Sequence, residues 1–308
     1  YVDTKLQWVL VEHLADSNRA LETYERMLVN DPDNREVLKA LARITIQHDQ
    51  IEDSIKYLNK LAEAPTDAKD ATEIMRTLVE AHQAQGNTQK EIEVLQDIVD
   101  IDPQNIDAID HLADCLQQLG HWEELIALLQ KRSLIGSDHD RVVCHKRIAR
   151  IAEERVQDIE LALKEWSRVY SIMGAEEETL TRLTNLAKSK GDTDSYLHYA
   201  DELIALLSGS AQASLCMQIA DVYSHDLMED AKAVPYLEVA LLDDSTFTQS
   251  VDRLENYYLL MGEWQKLLDV LLHKESKQDD VQERVSILLR AAEVAETSLQ
   301  NVKQADEI

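Results

Sequence analysis

The sequence repeats one pattern at an interval of 71 residues, and this repetition limits the folds that the chain can adopt. Gly120, Gly191 and Gly262 follow one another at this interval. Two sets of apolar residues keep the same register and alternate along the chain: Leu41, Leu112, Leu183 and Leu254, and then Tyr24, Leu95, Trp166 and Leu237. A repeat of this length indicates a structural unit that is built several times, with each copy packed on the next.

The copy between Asp102 and Lys131 shows what the unit contains. Its first half carries apolar residues at helical spacing, and Gly120 then supplies the left-handed conformation that ends many helices. A second apolar helical face follows: Trp122, Leu125, Ile126 and Leu129. We expect Pro103 to open the first of these helices, and Pro235 to lie in the first turn of a later helix. Because the two apolar sets interleave, each interval of 71 residues holds two helical hairpins.

Glycine and proline are rare in the chain, with seven and four among 308 residues, and this favours long helices over strands and loops. The sequence therefore predicts an all-α protein of about nine hairpins in a single domain, residues 1–308. The array should begin with a helix near Asp3–Leu14, and the polar segment 133–140 is the best candidate for a hinge. The ninth hairpin breaks off at Ile308, so we expect a fragment of a longer protein.

The pattern of Ala20, Tyr24 and Pro32 resembles the tetratricopeptide (TPR) repeat, a helical hairpin of about 34 residues. The resemblance covers nearly the whole chain, although the repeats are degenerate, since Gly174 and Ser245 replace the proline in later copies. It implies an α–α superhelix, that is, a TPR-like solenoid, in which the first helix of each hairpin lines a concave groove for proteins or peptides. TPR-like repeats serve many partners, so the resemblance predicts the fold better than the function.

The chain carries 59 acidic and 31 basic residues, which gives a formal net charge of −28. Such a charge repels phosphate backbones and anionic membranes, so we expect no binding of nucleic acid. No apolar run approaches the roughly 18 residues of a membrane span, so we expect no membrane insertion. The three cysteines are an odd number and widely spaced, which is typical of reduced thiols in a cytoplasmic protein.

No motif for catalysis or for phosphate binding occurs in the sequence, and we expect neither an enzyme nor a cofactor. His111, Cys115 and His121 lie close enough together in sequence to suggest a metal site. However, Cys115 occupies the position of Ile44, Leu186 and Tyr257 in the other copies. A packed core residue is therefore the favoured interpretation of Cys115, and no metal is predicted.

Charge is distributed unevenly, since residues 91–130 contain ten acidic residues and no Lys or Arg. Within this segment Asp107, Asp110 and Asp114 share one helix face, opposite its apolar positions. We expect them to form an acidic stripe in the groove that binds a basic segment of a partner, and the segment around them contains no internal cation to neutralise its charge. Groove positions in other copies add further candidate partner-binding residues: Arg43, Asn185 and Asn256.

Leu259 and Leu260 occupy positions that are mostly polar in the other copies, so we predict that they contact a partner instead of the core. The last hairpin carries Val285, Leu288, Leu289 and Val294, and it lacks a partner helix in this sequence. An apolar face without a cover promotes association, so self-association through this truncated hairpin is also expected.

These observations predict a non-catalytic scaffold or adaptor that binds a partner protein, or a basic peptide segment, in its concave groove. The alternative is a regulatory sensor that responds to a small ligand or peptide and relays the signal to an effector domain outside this chain. A scaffold should bury an interface of standard size, whereas a sensor should change its dimensions when a small peptide binds.

Overall fold

A computed structural model describes residues 17–308, and every regular element in this range is a helix. The expected all-α fold is therefore confirmed for the described residues, while the helix expected near Asp3–Leu14 lies outside them. Within the same range, no helix combines the length and the apolar composition needed to cross a membrane.

The helices fall into two compact units, with the boundary between Gln157 and Asp158. The first unit contains α1 (Ser17–Asn30), α2 (Arg35–Gln47), α3 (Ile51–Ala62), α4 (Ala68–Ala84), α5 (Thr88–Ile101), α6 (Ile106–Leu119), α7 (Trp122–Arg132) and α8 (Asp138–Ile151). The second contains α9 (Ile159–Met173), α10 (Glu177–Lys190), α11 (Thr193–Ile204), α12 (Gly209–Asp221), α13 (Asp230–Ala240), α14 (Phe247–Met261), α15 (Trp264–Ser276), α16 (Val281–Glu293) and α17 (Val302–Glu307).

Within each unit, short turns connect successive helices, and each helix packs against the next. The 71-residue register marks the core, since both apolar sets are buried: Tyr24, Leu41, Leu95, Leu112, Trp166, Leu183, Leu237 and Leu254. One set belongs to the first helices of the hairpins and the other to the second helices. The hairpins are thus TPR-like, and burial of these shared positions holds each helix against its neighbours.

From α6 onward, the first helices of successive hairpins end in two kinds of turn that alternate. After α6, α10 and α14 the chain turns at glycines with φ of 75°, 76° and 70°: Gly120, Gly191 and Gly262. The first helices that alternate with them, α8, α12 and α16, instead end in π-helical turns: Ala152–Val156, Val222–Asp226 and Val294–Ser298. The glycine turns were expected from the sequence, whereas the π-helical turns were not.

Both proline predictions were wrong. Asn105, whose side-chain oxygen accepts a hydrogen bond from the amide of Ala108, is the N-cap of α6, and Pro103 lies in the preceding turn. Pro235 lies inside α13 and not in its first turn, because that helix already begins at Asp230.

The expected hinge at 133–140 lies inside the first unit and not at the boundary between the units. The segment is held in place, because Arg132 donates a hydrogen bond to the carbonyl of Ile135 at 2.8 Å. Ser137 and Asp140 then form a capping box that begins α8. The treatment of residues 1–308 as a single domain stays a prediction.

Leucines on α14 allow a matched test of this core. We expect Leu254→Ala to lower the free energy of unfolding by about 2–5 kcal/mol, because Leu254 is fully buried. Leu259→Gln and Leu260→Gln should each change it by no more than about 0.5 kcal/mol, because both side chains are exposed. Urea unfolding followed by circular dichroism measures both effects, and equal losses in all three variants would contradict the assignment of the core.

Candidate functional site

Two pockets in the first unit lie on either side of α6, each between α6 and the first helix of a neighbouring hairpin. The pocket between α4 and α6 has a volume of about 290 Å³. Arg76 and Glu80 line it from α4, Asp107 and His111 line it from α6, and Leu95 of α5 contributes to its wall. This pocket is therefore lined mainly by two first helices, α4 and α6, together with part of the second helix α5.

The pocket between α6 and α8 is larger, at about 450 Å³, and it is rich in basic residues. Lys146, Arg147, Arg150 and Arg155 all line it, against one acid, Glu154. Trp122 supplies an aromatic wall, and the guanidinium of Arg155 lies over its ring, 5.4 Å from the centroid. The sequence analysis missed this pocket, although the close spacing of four basic residues along one helical segment was a usable signal.

Asp107, Asp110 and Asp114 are exposed on α6, as expected, but they do not form an unpaired acidic stripe. Asp110 accepts a hydrogen bond from Arg132 Nε at 3.1 Å, and Asp114 accepts one from Arg147 Nη2 at 2.9 Å. The segment 91–130 contains no cation of its own, but folding brings Arg132 of α7 and Arg147 of α8 against two of its acids, so the expected stripe is partly neutralised. Asp107 alone of the three has no such contact among the described residues, and it lines the α4–α6 pocket.

Pairs of this kind recur between successive first helices. Asp70 of α4 contacts both Arg35 and Lys39 of α2, and the Lys39 ammonium lies 2.7 Å from the carboxylate. Hydrogen bonds from Lys39 and from the Thr66 amide hold the pKa of Asp70 well below its ordinary value. In the second unit, Asp221 of α12 pairs with Arg253 of α14 at 2.6 Å. The Asp114–Arg147 contact is thus one of several polar pairs that join neighbouring first helices within a unit.

The other predicted partner-binding residues lie on the surface but do not line either pocket. Arg43 is exposed on α2 in the first unit, and Asn185 and Asn256 are exposed on α10 and α14 in the second. Leu259 and Leu260 are 42% and 84% exposed, which places them outside the core. Their contact with a partner stays a prediction.

The group of metal-ligating residues differs from the one that the sequence suggested. His111 and Cys115 approach Glu91 of α5, and the ligand atoms of the three residues lie within 4.8 Å of one another. His121 is not part of this group, and its Nδ1 lies 3.5 Å from Glu124.

No protein-family model matches the chain, and no curated protein sequence does. YrrB, a TPR protein with an unusual peptide-binding site, is 14% identical at a TM-score of 0.38, over 57% of this chain and 88% of YrrB. The C-terminal part of a TPR repeat-containing protein from Cytophaga hutchinsonii is 14% identical at a TM-score of 0.38, and the match covers 81% of this chain and 98% of that one. A TPR protein from Parabacteroides merdae is 13% identical at a TM-score of 0.36, and the match covers 83% of this chain and 98% of that protein.

The 71-residue register and its buried positions place this chain among helical-hairpin repeats. Its fold is that of a TPR-like array of helical hairpins. Its repeats are degenerate, and both pockets lie beside the first helix α6.

The two paired aspartates of α6 should differ in their effect on stability. Arg132 is buried and Arg147 is partly exposed, with side chains 7% and 28% accessible. We expect Asp110→Asn to lower the free energy of unfolding by roughly 1–3 kcal/mol, because it weakens the pairing of a buried guanidinium. Asp114→Asn should cost about 0–1 kcal/mol, as surface pairs do. Chemical unfolding of both variants checks the order, and a larger loss for Asp114→Asn would contradict it.

Asp70 gives a pH-dependent prediction. Because the pKa of Asp70 is lowered in the folded state, its carboxylate stabilises the protein above the unfolded pKa of about 4, and this contribution fades as the pH falls toward the folded value. Asp70→Asn should therefore lower the melting temperature at pH 7, and the gap to the unaltered protein should narrow below about pH 4.

The exposed pair Lys56–Asp53 provides the control, since Asp53→Asn should change the melting temperature little at any pH. A gap for Asp70→Asn that stays constant from neutral to acidic pH would contradict the assignment.

Proposed function

We propose that this chain is a non-catalytic scaffold that binds a partner protein through the pockets between its first helices. The observation that carries the proposal is the pair of pockets beside α6, which gives one helix two recessed surfaces for the side chains of an extended segment. The apolar positions of each first helix form the core, so the remaining positions of that helix can carry side chains that contact a partner.

The α4–α6 pocket is the proposed contact for a basic segment of the partner. Glu80 and Asp107 both line it, so a Lys or Arg of the partner would meet two carboxylates there. The net charge of −28 would speed the approach of a basic partner, and salt would weaken this effect. Asp110 and Asp114 extend the acidic surface, although the arginines that pair with them reduce its field.

The other partner-binding residues predicted from the sequence would contact the partner outside the two pockets. Arg43 would contact the partner in the first unit, and Asn185, Asn256, Leu259 and Leu260 would do so in the second. Leu260 is the strongest of these, because an aliphatic side chain that is 84% exposed gains most from being covered.

A sensor of small anionic ligands or acidic peptides is the second candidate function. The α6–α8 pocket favours it, since a volume of about 450 Å³ lies in the usual range for ligand pockets, and four cations surround an aromatic wall. In this case binding would draw α6 and α8 together, and the signal would pass to a domain outside this chain.

We also propose a cytoplasmic location and self-association. Cys115, Cys144 and Cys216 are free and buried, which suits a reducing compartment.

On α16, Val285 and Leu289 are 47% and 68% exposed and lie four residues apart, so a second copy of the chain could cover them. Val294, which was expected to belong to this uncovered face, is buried.

Two labelled peptides distinguish the proposals: one of alternating Lys and Leu, and one of alternating Glu and Leu. If the scaffold proposal is correct, fluorescence anisotropy should show binding of the basic peptide, and Glu80→Gln/Asp107→Asn should weaken it about tenfold, as loss of two charge-assisted contacts predicts. The sensor proposal instead expects binding of the acidic peptide, weakened by Lys146→Gln/Arg150→Gln, with a change in the scattering radius.

The matched control is Glu93→Gln/Asp97→Asn, which removes two charges from α5 without altering either pocket. If the pocket variant and this control weaken the basic peptide equally, binding reflects net charge alone and the proposed site is wrong.

A further inference from the structure

Two residues that depart from the repeat pattern meet in the first unit. Glu91 stands at a position that is alanine in three other copies: Ala20, Ala162 and Ala233. Cys115 stands where the other copies have large side chains: Ile44, Leu186 and Tyr257. Both residues are buried, with 4% and 3% of their surface exposed, and they belong to neighbouring helices, α5 and α6. His111 precedes Cys115 by one helical turn and joins them.

The ligand atoms of these residues converge. His111 Nε2 lies 2.6 Å from Glu91 Oε1, and the carboxylate oxygen, the imidazole nitrogen and the Cys115 sulfur all lie within 4.8 Å of one another. Ligand atoms of a tetrahedral zinc site are roughly 3.5 Å apart, so small side-chain rotations would bring all three onto one ion. Spacing at i and i+4 on α6 directs the His111 and Cys115 side chains to the same side.

Burying the Glu91 carboxylate lowers the stability of the fold unless a cation or further donors bind it. Its Oε1 is buried, and no contact to it meets full hydrogen-bond geometry. His111 Nε2, 2.6 Å away, forms an ion pair with it when the imidazole is protonated, and the Cys115 thiol interacts with the same carboxylate. No Lys or Arg of the described residues forms an ion pair with this carboxylate. A buried carboxylate that replaces alanine destabilises a core unless a cation or several donors compensate its charge.

We propose that Glu91, His111 and Cys115 form a binding site for a divalent metal ion of the zinc class. The donors are one carboxylate oxygen, one imidazole nitrogen and one thiolate, which is a ligand set typical of zinc. On binding, the Cys115 thiol releases its proton to solvent and its sulfur bonds to the ion, while neutral His111 and ionised Glu91 complete the set.

The site would keep one open coordination position on an accessible side. His111 has 33% of its side chain exposed and lines the α4–α6 pocket, so an ion could enter from there. Three protein ligands leave the fourth position of a tetrahedral ion for water or for a ligand from outside. The ion would thus join α5 to α6 beside the proposed partner pocket.

Cobalt titration of the metal-free, reduced protein tests the site, because Co²⁺ bound to a thiolate absorbs in the near ultraviolet. We expect one equivalent of Co²⁺ to produce this band and Zn²⁺ to abolish it by displacement. Cys115→Leu should remove the band, and Glu91→Ala should weaken Co²⁺ binding by at least about tenfold. Both substitutions insert a residue type that another copy uses at the same position, so both variants should fold.

Two internal controls show whether the signal comes from these residues. Cys144 and Cys216 remain in the Cys115→Leu variant, so any residual band would come from them. His121→Ala removes the alternative histidine and should leave the titration unchanged. Zn²⁺ should also raise the melting temperature of the unaltered protein but not of Cys115→Leu. Absence of a stoichiometric band, or a band that persists in both ligand variants, would overturn the proposal.

Discussion

Burial of the apolar faces of neighbouring hairpins is the interaction on which the rest of this structure depends. A single hairpin has too little apolar surface to fold alone, so each one uses the next as part of its core. Leu112 of α6 and Leu183 of α10 are buried at the same position of their hairpins. Because this requirement applies to a few positions in each copy, the remaining positions of the first helices can carry charge, form pairs or face a pocket.

Polar contacts between first helices add a second level of organisation. Arg147 binds Asp114 between α8 and α6, and Arg253 binds Asp221 between α14 and α12. Such partly exposed pairs contribute little stability individually, but they fix which side chains remain available beside them. Asp107 is available in this sense, and it opens onto the α4–α6 pocket. The acidic surface of α6 is therefore smaller than the count of its carboxylates suggests.

The sequence predicted the elements that follow from periodicity. Positions such as Leu112 and Gly120 could be assigned because the other copies supply internal comparisons, and the exposure of Leu260 followed from its polar counterparts. Contacts that occur in only one copy could not be predicted in this way. Glu91 reaches His111 from a different helix, and its counterparts in the other copies are alanines, so this contact leaves no periodic signal. The Arg132–Asp110 contact does recur, as Lys274–Asp252 two intervals of 71 residues later, and the sequence analysis overlooked it. The π-helical turns were missed because no residue type marks them as glycine marks the other turns.

The alternation of glycine turns and π-helical turns from α6 onward has a consequence for how such a chain can change in length. Loss or duplication of one hairpin would place two turns of the same kind in succession and would present each helix to a neighbour of the wrong shape. Loss or duplication of a full 71-residue segment preserves the alternation, so every new junction resembles an old one. The heritable module of this protein is accordingly the double hairpin, and natural variants should differ in length by whole modules.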